Sequence, residues 1–459
     1  MNAVVRSSAS TRHGPGRAPP DKVLRNSFFL LASTLFMAGL GFVFWVIVAR
    51  LYSPAEVGLG TSLLAASTLI AYVSQLGLNN TLIRFRAPGA AHSAQVTQYC
   101  VLVGLAACVI ACVYLIGLQW YGRKLLFIET NPAQTLAFVF FCSCTALTLL
   151  TDSVFIAERK AEYTVVTDGL VQSLTKLALP AALAGLGAFG IVTATGVGYA
   201  AGVLASFVLM YRKLGLRPRR PARGTGLIGG LGFSAGTYTA SLFNLAPLLV
   251  LPLIVLQWRG AAQAGFYFAA FQIATLLNAV SYAIGEALFA EASHDKSRFG
   301  VLLRRSALLM AAAQIPAAAV VALAAGLVLR MFGGQYAANA YTLLVVLACG
   351  SLAVGLYTWA SYALKAARRL RHLMAGNVIY AAVIIGLALA WAPRGLAWLG
   401  WAWTLGNLAA GAYCAIALLG TRTSAPGAHP PRTIRAGLGR RRTRALVTSL
   451  NRAEGAQGP

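Results

Sequence analysis

The amino-acid sequence predicts an all-α polytopic membrane protein of about twelve transmembrane helices. Three observations predict it: an apolar composition, a series of apolar runs of spanning length, and a one-sided distribution of positive charge. Of the 459 residues, 58% are apolar and 11% charged, with a mean hydropathy of +0.70. Soluble domains carry about 25% charged residues, so most of this chain is built for lipid. A span needs roughly 20 consecutive apolar residues. Runs of that length fall at 27–49, 57–79, 97–118, 133–151, 163–186 and 188–211, and again at 231–257, 264–284, 306–329, 341–364, 373–392 and 396–419. Only helices are viable here, because an unpaired backbone amide in hydrocarbon costs several kcal/mol and the runs are too long for barrel strands. The first run follows basic residues, as a secretion signal would. It is too long for such a signal and more spans follow it, so it reads as an uncleaved first helix.

Lysine and arginine total 38 against 11 acids, a net charge of +27. On a soluble protein that balance would suggest nucleic acid. Here the charges sit between apolar runs, and orientation in the bilayer explains them better, so no nucleic-acid partner is expected. With the N-terminus inside, the inner segments hold 31 lysines and arginines, and the outer loops hold six: Arg50, Arg123, Lys124, Arg259, Arg330 and Arg394. Cytoplasmic loops carry such an excess, so both termini are expected on the cytoplasmic side of the membrane. Residues 1–24 and 421–459 are rich in Gly, Pro, Ser and Arg. They read as disordered basic tails attracted to anionic membrane lipids.

Several chemistries are excluded. The outer loops are short, the longest running from about Gln119 to Pro132, too little chain for a catalytic domain. The protein is therefore not read as an enzyme. No Gly-Lys pair occurs, so an ATP-binding loop of the form G-x-x-x-x-G-K-[ST] cannot be present. The seven cysteines all lie in apolar runs without a CxxC pair, and the five histidines show no metal-site spacing. Neither a metal nor a cofactor is expected.

A weak internal repeat divides the chain. Glu56-Val57-Gly58-Leu59 after the first span aligns with Gln263-Ala264-Gly265-Phe266 after the seventh, an offset of 207 residues. Nearly the same offset sets Gly77 over Gly285. Internal symmetry of this kind marks transporters built from two bundles, parallel when each holds an even number of spans. The expected domains are an N-terminal six-helix lobe at 25–211, a basic cytoplasmic linker at 212–226, and a C-terminal six-helix lobe at 227–420.

Polar side chains within lipid should face other helices or water. Four spans carry them three or four residues apart, on one helix face: Thr68, Tyr72, Gln75 and Asn79 in the second; Asp168, Gln172 and Lys176 in the fifth; Tyr238, Ser241 and Asn244 in the seventh; Gln272, Thr275, Asn278 and Tyr282 in the eighth. Such groups either line a cavity or join helices by hydrogen bonds. Lys176 lies about 13 residues into its span, roughly 20 Å from the inner surface at 1.5 Å per residue. A charge there costs about 2.5–3.5 kcal/mol on insertion scales. It therefore needs a partner, such as the carbonyls of a neighbouring helix, or a watery cavity in which it attracts an anionic group. Arg25 and Arg84 flank the first two spans and either set topology or form the mouth of a basic funnel. Pro180, Pro247, Pro252 and Pro316 are expected to kink their helices.

The segments RNSFFLLASTLF, LYSPAEVGLG, LGLNNTLIRF and LFAEASHD together resemble bacterial polysaccharide-biosynthesis proteins of the oligosaccharide flippase type. These belong to the superfamily of multidrug, oligosaccharidyl-lipid and polysaccharide exporters. The resemblance implies two six-helix bundles around a central, alternately opening cavity, lined largely by spans one, two, seven and eight. It implies a substrate, a polyprenyl-pyrophosphate-linked glycan, turned from the cytoplasmic to the outer face, and other polysaccharide-assembly proteins as further partners. On this reading Arg25, Arg84 and Lys176 meet pyrophosphate, while Gln75, Asn79, Tyr238, Asn244, Gln272 and Asn278 meet sugar. Asp168 is the candidate for a coupling ion. The alternative within the superfamily is a cation-coupled extruder of organic cations, which should show acids deep in both lobes; a scaffold or enzyme of glycan assembly is a further alternative. Many members have fourteen spans, against the twelve counted here.

Overall fold

The first run ends in helix α1 (Gly39–Leu51). A computed structural model describes residues 39–84, 90–219, 227–294 and 298–420. Arg25, the tails 1–24 and 421–459, and linker residues 220–226 lie outside the described residues. After α1 the chain turns at Ser53 and starts α2 (Pro54–Ser74) with a reciprocal cap. The Ser53 hydroxyl accepts from Glu56 N at 3.3 Å, and Ser53 N donates to Glu56 Oε2 at 2.8 Å. Two otherwise unpaired donors are satisfied together, and Pro54 occupies the first turn, where its missing N–H costs nothing.

The second run is broken. Leu76 and Gly77 adopt φ of +50° and +77°, and a short α3 (Leu78–Arg84) follows. Next come α4 (Ala90–Tyr121), a 3₁₀ turn at Arg123–Ile128, and α5 (Pro132–Ala157). The fifth run, expected as a single helix, is interrupted: α6 (Glu162–Thr164) passes into a π-helical stretch at Val165–Gln172 and then α7 (Ser173–Ala178). Ser173 Oγ donates to Asp168 O at 2.9 Å, five residues back, satisfying a carbonyl within the wider turns. Pro180 ends the helical course, since it offers no backbone donor. Helix α8 (Ala188–Arg212) completes the first half.

The second half comprises α9 (Leu227–Arg259), α10 (Ala261–His294), α11 (Phe299–Leu323), α12 (Ala325–Phe332), α13 (Gly334–Ala366), α14 (Leu370–Trp391) and α15 (Leu396–Leu419). Among the described residues, ten helices are long and apolar enough to cross a membrane. The other two expected spans correspond to α1 and to the interrupted α6–α7. No strand occurs among the described residues.

Helices up to α8 pack mainly around α5 and α2, those from α9 onward around α10 and α13, and the two sets meet where α2 packs on α9 and α10. The helices through Ile416 make one compact unit; of the unit from Ala417 onward only 417–420 are described. The crossing of α2 and α10 carries the internal repeat. A Cβ on Gly58 would collide with the Ala261 carbonyl, and one on Gly265 with the Pro54 carbonyl. Pro54 and Ala261 are 207 residues apart, as are Gly58 and Gly265, so the contact is reciprocal in the manner of an isologous interface. A similar relation, at an offset of 209 residues, holds at the turns after α5 and α13. Arg159 and Arg368 have φ of +56° and +58°, and the bond from Lys160 N to Phe155 O (2.8 Å) is matched by Arg369 N to Leu364 O (2.9 Å). Gly77 and Gly285 are not equivalent, since the first makes a turn and the second sits inside α10 against Tyr362.

Candidate functional site

A cavity of about 600 Å³ opens among α2, α3, α9, α10, α13, α14 and α15. Its position follows from the chain ends. The lining residues of α13 run from Tyr357 to Lys365, its last turns, and those of α14 begin at Leu370, its first residue. The cavity therefore lies toward the end of the bundle that carries the α13–α14 turn and the basic segment after α8.

Its chemistry is distinctive. Six tyrosines (Tyr72, Tyr238, Tyr282, Tyr357, Tyr362 and Tyr380) and six amide side chains (Gln75, Asn79, Asn80, Asn244, Asn377 and Asn407) line it, with Lys365 as the cation and no carboxylate among the described lining residues; Glu286, outside the lining, accepts from the Tyr362 hydroxyl at 3.4 Å. Tyr357 organises the deep wall: its hydroxyl donates to Asn377 Oδ1 at 2.6 Å and accepts from Asn244 Nδ2 at 3.5 Å, joining α13, α14 and α9. Its ring stacks on Tyr380, centroids 5.0 Å apart, and Tyr380 meets Trp403 edge-on at 5.8 Å. Trp403 meets Phe271 at 4.9 Å, so an aromatic ladder closes the floor. On the opposite wall, Tyr238 donates to Val73 O at 2.7 Å and ties α9 to α2. Gln75 is 1% exposed and donates to Ala146 O at 2.8 Å; its Oε1 has no partner among the described residues. Buried polar atoms are seldom left unpaired, so this oxygen is available to a ligand or water. At the mouth, Lys365 Nζ lies 5.2 Å from the Tyr362 ring centre and 5.7 Å from that of Phe289.

The cavity brings together four of the residues singled out in the sequence: Gln75, Asn79, Tyr238 and Asn244. The others lie elsewhere. Arg84 ends α3 on an exposed turn outside the lining. Gln272 is half-buried on α10 and Asn278 is buried there, and neither lines the cavity. Ser281, three residues after Asn278, faces α11, where its Oγ donates to Gln314 Oε1 at 2.7 Å. Lys176 is half-buried within the first half, its Nζ 5.5 Å from the Phe44 ring centre. Asp168 accepts from Thr167 Oγ1 at 3.2 Å and lies within hydrogen-bonding reach of Asp152 on α5. No group of three or more metal-binding side chains occurs among the described residues.

Sequence reading missed Tyr357, Lys365, Asn377, Tyr380 and Asn407. A signal existed for part of this set: Tyr357, Ser361 and Lys365 recur every four residues on the tenth span. Asn377 has Tyr380 three residues on and Asn407 has Thr404 three residues before it, pairs shorter than the stripes of the other spans.

Two halves related by an internal repeat, joined along α2 and α10 around a polar cavity, define the fold of a multi-pass membrane transporter. The chain belongs to the polysaccharide biosynthesis protein family, whose pattern it matches over residues 23–289. Among solved structures, the lipid II flippase MurJ in an inward closed conformation matches with a TM-score of 0.71 at 12% identity, over 85% of this chain and 87% of that one. An inward-facing multidrug resistance MATE family transporter of the MOP superfamily matches with a TM-score of 0.66 at 13% identity, over 84% and 94%. An outward-facing MATE transporter matches at 0.55 and 11% identity, over 85% and 94%. No curated protein sequence matches the chain.

Proposed function

We propose that this protein flips a polyprenyl-pyrophosphate-linked oligosaccharide from the cytoplasmic to the outer leaflet by alternating access. The lining of the cavity carries the reading. Sugar rings offer apolar faces that pack on tyrosine rings and hydroxyl edges that pair with amides. Six residues of each kind and one lysine, without a carboxylate, suit a neutral glycan with an anionic anchor. An extruder of organic cations needs a buried acid where its ligand sits, because an unpaired cation in an apolar site is costly. None lines this cavity.

The charge count supports a cavity mouth and both termini on the cytoplasmic side of the inner membrane. The closer fit to inward conformations of MurJ and MATE than to the outward one supports an inward-facing state. The two halves act as the six-helix lobes 25–211 and 227–420, joined by the linker 212–226, and rock about the α2–α10 crossing. Within the cavity Gln75, Asn79, Tyr238 and Asn244 bind sugar, with Tyr357 and Asn377, and Lys365 takes the role of phosphate ligand. Asp168, which accepts from Thr167 Oγ1 within the interrupted fifth span, takes the role of coupling-ion site.

The test is headgroup translocation in liposomes containing purified protein and a fluorescent polyprenyl-pyrophosphate sugar. Loss of accessible label from the starting leaflet, at a rate above protein-free liposomes, is the expected result. No translocation, together with active export of an organic cation, would reverse the assignment.

A further inference from the structure

We propose a binding site for an anionic phospholipid in the cleft between α4 and α8. Both helices pack on α5 and make little contact with one another, leaving a slot of about 590 Å³. Its walls are Val96, Cys100 and Val101 on one side and Phe207, Val208 and Tyr211 on the other. The slot opens toward lipid. On α4, Val101, Leu105, Val109 and Val113 form an exposed stripe at steps of four, and Val208 and Tyr211 are exposed on α8. From Ser93 to Val101 its walls run about 12 Å along the helix at 1.5 Å per residue, a length that takes part of an acyl chain.

One end is roofed and charged. Gly215, with φ of +65°, turns the chain back so that Leu216 N reaches Met210 O at 3.0 Å. Arg219 N then donates to Thr97 Oγ1 at 3.3 Å and fastens the returning segment to α4. Arg212 and Arg217 line this end. Both are exposed, and no hydrogen bond or ion pair engages either among the described residues. An apolar slot ending in two unengaged arginines matches an acyl chain carrying a phosphate headgroup, since arginine binds phosphate oxygens in pairs.

Native mass spectrometry of detergent-purified full-length protein, titrated with phosphatidylglycerol or phosphatidylcholine, tests this without any transport assay. Phosphatidylglycerol should bind about thirtyfold more tightly, the worth of two basic residues against anionic lipid. Arg212→Gln with Arg217→Gln should abolish that preference, and Val101→Trp, which fills the slot, should remove retention of both lipids. Inorganic phosphate should not compete. Equal retention of the two lipids, an unchanged preference in the double variant, displacement by phosphate alone, or displacement by a polyprenyl phosphate at equal concentration would each overturn the proposal.

A second inference rests on separate observations at the opposite end of the bundle. Arg50, at the end of α1, donates from Nε to Met331 O at 2.8 Å and from Nη2 to Arg330 O at 2.7 Å. Lys124 donates from Nζ to Leu256 O and Gln257 O, both at 2.9 Å. Each cation belongs to the first half and each acceptor to the last turn of a second-half helix, α12 or α9. Helix C-termini expose unpaired carbonyls at the negative end of the dipole, so cations suit them. The pairs are symmetry mates: the 207-residue offset carries Arg50 to Gln257 and Lys124 to Met331, with donor and acceptor exchanged. The geometry points to a two-point latch that closes the halves at this end and must release when the transporter opens there.

The latch depends on the alternating-access reading, but its test needs no substrate. Spin labels at Thr130→Cys and Gln335→Cys, in a cysteine-free background, report the separation of the halves at this end. Arg50→Gln with Lys124→Gln should raise the population of a longer distance about tenfold, as expected for the loss of charge-assisted bonds, with each single variant between. Lys124→Arg should restore the short distance. An unchanged distribution in the folded double variant, or in both folded single variants, would refute the latch. Failure of translocation alone would leave it standing.

Discussion

Tyr357 joins three helices through one hydroxyl, and the consequences of removing it are specific. Tyr357→Phe deletes the 2.6 Å bond to Asn377 and the contact with Asn244 while keeping the ring on Tyr380. A neutral bond of this kind is worth about 1 kcal/mol, so the variant should fold with a melting temperature lowered by only a few degrees. Freed amides would turn away from the cavity, and affinity for the sugar portion should fall about tenfold, read by titration with a labelled glycan. Lys365→Gln should act on the other end of the ligand. Loss of a charged hydrogen bond weakens binding of the pyrophosphate by about tenfold, measured with a polyprenyl pyrophosphate lacking sugar. Lys176→Met should leave both affinities unchanged, because its ammonium sits against Phe44, not in the cavity. The contrast shows what the sequence can rank. Depth made Lys176 conspicuous, yet depth does not say which wall a side chain faces. Lys365 looked like one of many basic residues closing a span, and its place at the cavity mouth depends on how α13 sits against α9 and α14.

Helices were the most legible elements and their interruptions the least. Run length and hydropathy located the ten spanning helices found among the described residues, with ends missed by up to ten residues as at α10, because the thickness of the hydrocarbon dictates both. The π-helical stretch at Val165–Gln172 has no such signature: it forms where Ser173 and the Asp168 carbonyl can bond across five residues, a choice made by packing. The repeat was readable from a four-residue match whose one identical pair, Gly58 and Gly265, sits at the crossing of α2 and α10. Gly58 and Gly265 let the α2 and α10 backbones touch. A methyl group at either position must push rigid backbone apart, and overpacking of this kind costs typically 1–3 kcal/mol. Gly58→Ala and Gly265→Ala should each lower the melting temperature of the purified protein. Because both act on one crossing, the double variant should lose less than the sum of the singles. Additive losses would mean that the two glycines serve independent contacts.

Orientation links the fold to the direction of transport. The cavity opens at the end bearing the basic segment after α8 and the α13–α14 turn, the end that the proposed orientation sets on the cytoplasmic side. Under the proposed function, only such an arrangement would let a glycan carried on an inner-leaflet lipid enter the state described here. Single cysteines decide it in a cysteine-free background treated with a membrane-impermeant maleimide. Gln335→Cys, at the latched end, should label in intact cells. Arg217→Cys and Asn80→Cys, the second inside the cavity, should label only after the membrane is permeabilised. Were Asn80→Cys to label from outside while Arg217→Cys did not, the cavity would open outward and this conformation would be the releasing state. Were both to label from outside, the whole bundle would be inverted, and the cavity would receive its ligand from the wrong leaflet for export.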